Sequence, residues 1–128
     1  MVALVARVLA EVVPRVGLPL YCVALLGTAA AAAANYRLFG APFIALGGAL
    51  NLAVVLLNRG MPVDPGAVAA AGGLMPRDPL HVALNATTVL GPLADVIPVA
   101  VFHGAYSLGD IAIAFGGFLV PLIVLSRR

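Results

Sequence analysis

Three apolar stretches, at about 16–34, 41–57 and 108–125, limit what this chain can fold into. Each approaches the ~20 residues that an α-helix needs to cross ~30 Å of hydrocarbon. Asp110, in the first turn of the third stretch, is the only charge in any of them. A soluble domain of 128 residues could not hide three such helices. Its surface would have to be built from the same apolar residues. Composition agrees: 63% of residues are hydrophobic and 9% charged, against ~25% charged in an ordinary globular domain. The expected fold is an all-α membrane protein, a single domain over 1–128 with an extramembrane loop at 59–106.

Charge and cysteine content exclude several functions. Seven scattered arginines against five acids leave a net charge of only +2, with no lysine, which is no nucleic-acid surface. Cys22 is the single cysteine, so neither an intrachain disulfide nor a thiolate metal cluster can form. Neither histidine lies inside a span, where it could serve as an axial haem ligand. No cofactor is expected, and the partners implied are the lipid bilayer and other membrane subunits or further copies of the chain.

Residues 1–13 form an apolar segment interrupted by Arg7 and Glu11, which are four apart and can pair on one helical face. At ~20 Å this segment is too short to span, and it reads as an interfacial helix ending near Pro14. A competing reading takes Arg7 and Arg15, the apolar run that follows and Ala32-Ala33-Ala34 as a signal peptide. Two more spans would still keep the product in the membrane. The first span ends almost wholly in alanine, a surface that lets helix backbones approach closely.

Asn35 to Gly40 is a tight turn bearing Arg37 and aromatic residues, so the first two spans form an antiparallel hairpin. On the second arm Gly40, Gly47, Asn51 and Asn58 share one face, at spacings of seven, four and seven. An amide in mid-span is expensive to leave facing lipid. An interhelical hydrogen bond worth ~0.6–2 kcal/mol is the favoured reading of Asn51, ahead of a ligand or ion contact.

The loop is rich in Pro and Gly and carries helix signals. Asp64-Pro65 reads as an N-cap with proline at the first helical position, and Gly72-Gly73 ends that helix. Asp78-Pro79 repeats the signal before Leu80–Leu84. Two or three short helices over the bundle mouth are expected, then an extended 99–103. Ser107 and Asp110 form an acidic capping box for the last span, with the carboxylate at the positive end of the helix dipole. On that span Gly109, Ala112 and Gly116 make a small face, and Ile111, Phe115, Phe118 and Leu122 a bulky one. The first should pack on protein and the second on lipid or a partner. Pro121 withholds a hydrogen bond from Gly117 and predicts a kink.

The runs Asn35-x-Arg37-Leu38-x-Gly40 and Asn58-x-Gly60-Met61-Pro62-Val63 are followed by Asp95-Val96-Ile97-Pro98 and Ser107-x-Gly109-Asp110. In that order they resemble an uncharacterised bacterial family of small integral membrane proteins, a domain of unknown function. The resemblance covers roughly 17–126. It implies a multi-pass protein of the bacterial cytoplasmic membrane, with further apolar segments before the first span, and it supplies no activity. Segment 1–13 has the character of a remnant of such a segment. The arginines nearest the spans favour a cytoplasmic carboxyl terminus, with the long loop and amino terminus external.

The functional readings follow from the polar inventory. Asp64, Asp78, Ser107 and Asp110 have capping roles, which leaves Asn51, Asn58, Asp95 and His103 as ligand or helix-contact candidates. No metal site is expected, because His81 and His103 lack ligand spacing. The leading expectation is a non-enzymatic accessory or structural subunit of a larger membrane complex. The alternative is a small-molecule or lipid-binding protein or transporter, with a pocket between the Asn51/Asn58 face, Met61–Pro62 and Asp95–Pro98. A weaker one is a membrane-embedded enzyme using Asp95 and His103.

Overall fold

The computed structural model describes residues 14–126; the expected interfacial helix and the terminal Arg127 and Arg128 lie outside them. Helices α1 (Pro14–Ala34) and α2 (Ala41–Asn58) form the antiparallel hairpin. Strand β1 (Met61–Val63) follows, then α3 (Pro65–Ala70), β2 (His81–Ala83), β3 (Ile97–Val99), β4 (Gly104–Tyr106) and the last helix α4 (Leu108–Ser126). Helix α2 is central, packed against α1 on one side and α4 on the other. Two helical stretches, Val16–Ala34 and Ala41–Asn58, are long and apolar enough to cross a membrane, whereas the apolar stretch in α4, Leu108–Leu122, is shorter. Both α1 and α4 run unbroken through their internal prolines, Pro19 and Pro121.

Helix α2 meets α4 along glycine. A Cβ on Gly47 would collide with the Gly109 carbonyl, and one on Gly40 with the Gly116 carbonyl. The two helices are antiparallel and both glycine pairs are seven apart, so the contacts fall in register on one face. On the other side of α2, a Cβ on Gly48 would come within 3.2 Å of the Ala29 methyl of α1. The bulky residues of α4, Ile111, Phe115, Phe118 and Leu122, stay exposed. So do Val23 and Leu26 on α1 and Leu46, Leu56 and Leu57 on α2.

Side-chain burial concentrates where the loop roofs the bundle. Val54, Val55 and Met61 form its centre, with Leu18, Tyr21, Cys22, Leu25 and Leu93 packed around them. Arg59 ends α2 in the left-handed region, and Gly60, at φ +156°, turns the chain into β1. All three residues of β1 are buried.

The loop corrects the all-α expectation, because it carries two small sheets. Strand β1 pairs in parallel with β2, Met61 opposite His81 and Val63 opposite Ala83. Strands β3 and β4 form an antiparallel hairpin, Ile97 opposite Tyr106. The Asp64 cap holds: its Oδ1 accepts from the Gly66 N–H at 2.8 Å, α3 follows, and Gly72 at φ +72° lies just beyond its end. At Asp78 the same local turn forms, with Oδ1 accepting from the Leu80 N–H at 2.9 Å, but a strand follows instead of a helix. The buried edge of β1 takes the backbone groups of 80–84: Met61 N–H donates to the Leu80 carbonyl at 2.8 Å and Leu84 N–H to the Val63 carbonyl at 2.9 Å. Of the expected extended 99–103, only Val99 is extended, as the last residue of β3. Ala100–Phe102 is one 3₁₀ turn and His103 is left-handed at φ +50°, which closes the β3–β4 hairpin.

Candidate functional site

Asn51 sits in the middle of α2 with 1% of its surface exposed, so its amide must find partners inside the protein. It finds them on the first turn of α4. Its Nδ2 donates to Asp110 Oδ1 at 2.7 Å, and the Ser107 hydroxyl donates to Asn51 Oδ1 at 2.9 Å. The capping box closes around this contact: Asp110 N–H donates to Ser107 Oγ at 3.0 Å, and Ser107 N–H donates to Asp110 Oδ2 at 3.1 Å. The helix cap and the interhelical bond are therefore one network. Gly109 lets it form, since a Cβ there would collide with Asn51 Oδ1.

This geometry assigns Asn51 to helix packing. Asn51→Ala should lower stability by about 1–3 kcal/mol, because Ser107 Oγ and Asp110 Oδ1 lose a buried partner. Thermal unfolding in detergent measures this; an unchanged midpoint would show that the network carries no net energy.

Asn58, one helical heptad further on, holds the loop. Its Nδ2 donates to the Val89 carbonyl at 2.9 Å, and Val89 N–H donates back to its Oδ1 at 2.9 Å. The same amide nitrogen donates to the Val54 carbonyl at 2.8 Å. The loop is thereby tied at Val89 to the end of α2.

Asp95 arrives from that tied segment. Its backbone flanks β1 on the side away from β2: Asp95 N–H donates to the Pro62 carbonyl at 2.9 Å, and Asp64 N–H donates to the Asp95 carbonyl at 3.0 Å. Pro62 lacks an N–H, but its carbonyl is free to accept this bond. The residue is 7% exposed, and its Oδ1 has no hydrogen-bond partner. It lies beside Asp110. Burial above all pushes the Asp95 carboxyl up to about 7; the Asp110 charge adds to this, as does the hydrogen bond that a protonated Asp95 gives to Asp110.

Both aspartates line a cavity of ≈ 480 Å³ under the loop. Met61, Val63 and Val68 contribute apolar wall, and His81, His103, Tyr21 and Tyr106 bring further polar groups to it. His81 is already engaged, its Nδ1 lying 2.7 Å from Asp78 Oδ1. Burial raises the Asp78 carboxyl, but the His81 hydrogen bond and charge and the Leu80 N–H outweigh it, so Asp78 stays below the usual value. His103 is exposed at the hairpin turn and reaches the cavity rim. Among the described residues, no three His, Cys, Asp or Glu side chains are grouped as a metal ion would need.

Of the four candidates, the structure brings Asp95 and His103 to one cavity. Asn51 stands behind it through Asp110, and Asn58 stays outside it, holding its cover. Tyr21 and Tyr106 were missed. Tyr21 lies within an apolar run and Tyr106 in a loop, and no local pattern sets either apart.

The chain belongs to the family of unknown function DUF5317, which matches residues 1–122. No curated protein and no solved structure matches it.

Proposed function

We propose that this DUF5317 chain is an integral membrane protein that binds a small molecule in the Asp95/Asp110 cavity. The membrane part rests on its two long apolar helices. Only 17% and 33% of these windows are buried inside the molecule, where a core helix of a soluble protein would be mostly covered. We read α4 as a third span, which leaves the loop as a roof on one face of the bilayer. Helix α1 supplies Leu18, Tyr21, Cys22 and Leu25 to the core, which supports a retained span over a cleaved leader. The basic residues nearest the spans favour a topology with the loop outside and the carboxyl terminus cytoplasmic; the bacterial cytoplasmic membrane is what the resemblance of the sequence motifs implies.

One observation carries the binding reading. Asp95 is buried at the cavity wall with Oδ1 unpartnered, and an isolated buried acceptor costs stability unless something satisfies it. A cavity of a few hundred Å³ with convergent polar groups is the usual form of a small-molecule site. His103 lines the same cavity from the hairpin turn, where it can contact a ligand.

The test is a thermal-shift screen of the purified protein with cationic, anionic, zwitterionic and neutral solutes, run beside Asp95→Asn. A true ligand at a hundred times its Kd should stabilise the native chain by about 2.7 kcal/mol. It should stabilise the variant far less. A screen in which no solute class separates the two proteins would overturn the reading.

A second reading, an accessory subunit of a larger membrane complex, is favoured by a different surface. Ala24, Gly27, Thr28 and Ala31 are exposed along α1, and the space around the Gly27 Cα is open. Such a face accepts another helix closely. It predicts co-purification with a larger complex in mild detergent; a stable lone monomer from native membranes would remove it.

A further inference from the structure

We infer that the occupant of the cavity is a single-chain amphiphile with a cationic amine head, which enters from the bilayer along α4. This rests on the binding reading above and adds the chemical class.

The head group follows from the polar lining. Asp95 and Asp110 are the two carboxylates of the cavity, and among its described lining residues there is no arginine or lysine. The titratable groups that line the cavity with Asp95 are Asp110 on α4, Tyr21 on α1, His81 on β2, His103 at the hairpin turn and Tyr106 on β4. His81 is matched to Asp78, so it does not neutralise the aspartate pair. An ammonium supplies both missing items, a positive charge and N–H donors for the unpartnered Asp95 Oδ1. Tyrosine and phenylalanine walls suit the same charge, since a ring face attracts a cation.

The tail follows from a second hollow. A groove of ≈ 550 Å³ lies along the first turns of α4, lined by Val99, Ile111, Ile113, Ala114 and Phe115. Phe102, Tyr106 and Asp110 line both this groove and the polar cavity, so the two share a wall. The groove runs along the exposed bulky face of α4, where Ile111 and Phe115 point outward. A molecule with its head at Asp95 and its chain over Ala114 fills both hollows at once. No purely polar solute does so.

Binding is then an exchange. The proton that Asp95 holds against Asp110 leaves to solvent as the ammonium takes its place, with one positive charge lost and one gained. Affinity should rise as pH rises towards neutrality, because the site becomes available as Asp95 ionises.

The full chain in phosphatidylcholine nanodiscs, titrated with radiolabelled dodecylamine against empty discs, tests this. At pH 8, where Asp95 is ionised and this comparison is made, saturable binding is expected, weakened at least tenfold by Asp95→Asn. Dodecanol and butylamine, which lack the charge and the tail respectively, should compete at least tenfold less well. Ala114→Phe should weaken dodecylamine binding and leave butylamine binding unchanged, which keeps the tail assignment testable apart from the aspartate. Between pH 5 and 7 the affinity should rise by up to about tenfold per unit for one displaced proton. Equal binding by the native chain and Asp95→Asn, or dodecanol matching dodecylamine, would overturn the amine assignment. If the solute screen then still yields an Asp95-dependent ligand of another class, only this inference falls; if it yields none, the cavity reading falls with it.

Discussion

Gly47→Ala is expected to disrupt the packing of α2 on α4, although it adds a single methyl group. The new Cβ would collide with the Gly109 carbonyl and approach Ile113 Cγ1 to 2.8 Å and its backbone nitrogen to 3.0 Å. Two of these neighbours are backbone atoms of a helix, and no rotamer change removes them. The helices must separate, which carries the overpacking penalty of about 1–3 kcal/mol and also stretches the Asn51 bonds to Ser107 and Asp110. Gly27→Ala is the internal control. A Cβ there meets nothing within 4 Å, so the change should be neutral or stabilising by up to about 1 kcal/mol through helix propensity. Thermal unfolding and protease resistance in detergent, measured on both variants, check the pair. Similar midpoints for Gly47→Ala and the native chain would mean that the backbones do not approach as described.

Asp95→Asn should flatten the pH profile of stability. The folded chain holds the Asp95 carboxyl at about 7, above the ordinary carboxylate value of ~3.9. Between these two values the folded state keeps a proton that the unfolded state has lost, so stability falls as pH rises. The contribution is fully present below about pH 4 and is lost as pH rises through about 7. Asparagine keeps the shape and an N–H for Asp110 without ever ionising. The variant should therefore melt higher than the native chain at pH 8, with a much flatter profile from pH 5 to 8. A native chain equally stable at pH 5 and pH 8 would show that Asp95 ionises freely and is not confined beside Asp110.

Both predictions turn on contacts with different degrees of legibility in the sequence. The Ser107–Asp110 cap is local: four consecutive residues contain both partners, and dihedral preferences bring them together in any helix start. The Gly40, Gly47, Asn51, Asn58 stripe was visible for the same reason, since helical periodicity is a property of one segment. Its partners were not visible. That Gly47 meets Gly109, or that Asn58 clamps Val89, depends on where another segment lies, and spacing within α2 carries no record of it.

The loop shows the limit most plainly. Asp64-Pro65 and Asp78-Pro79 present the same turn chemistry, and both form the expected side-chain bond to the N–H two residues on. One continues as a helix and the other as a strand. The difference comes from the buried edge of β1, which offers 80–84 a row of backbone partners that no local rule contains. Strands of three residues have too little alternation to be recognised, and a parallel pair needs its partner from a distant part of the chain.

The order of hydrophobic segments, the hairpin between the first two, the helix caps and the small-residue faces follow from the sequence by itself, because each rests on interactions within one or two turns of chain. The sheets of the loop, the contact of Asn51 with the α4 cap and the burial of Asp95 beside Asp110 were decided by tertiary structure. An unpaired acid in a loop becomes a candidate binding group only when folding removes its water and brings a second carboxylate to its side.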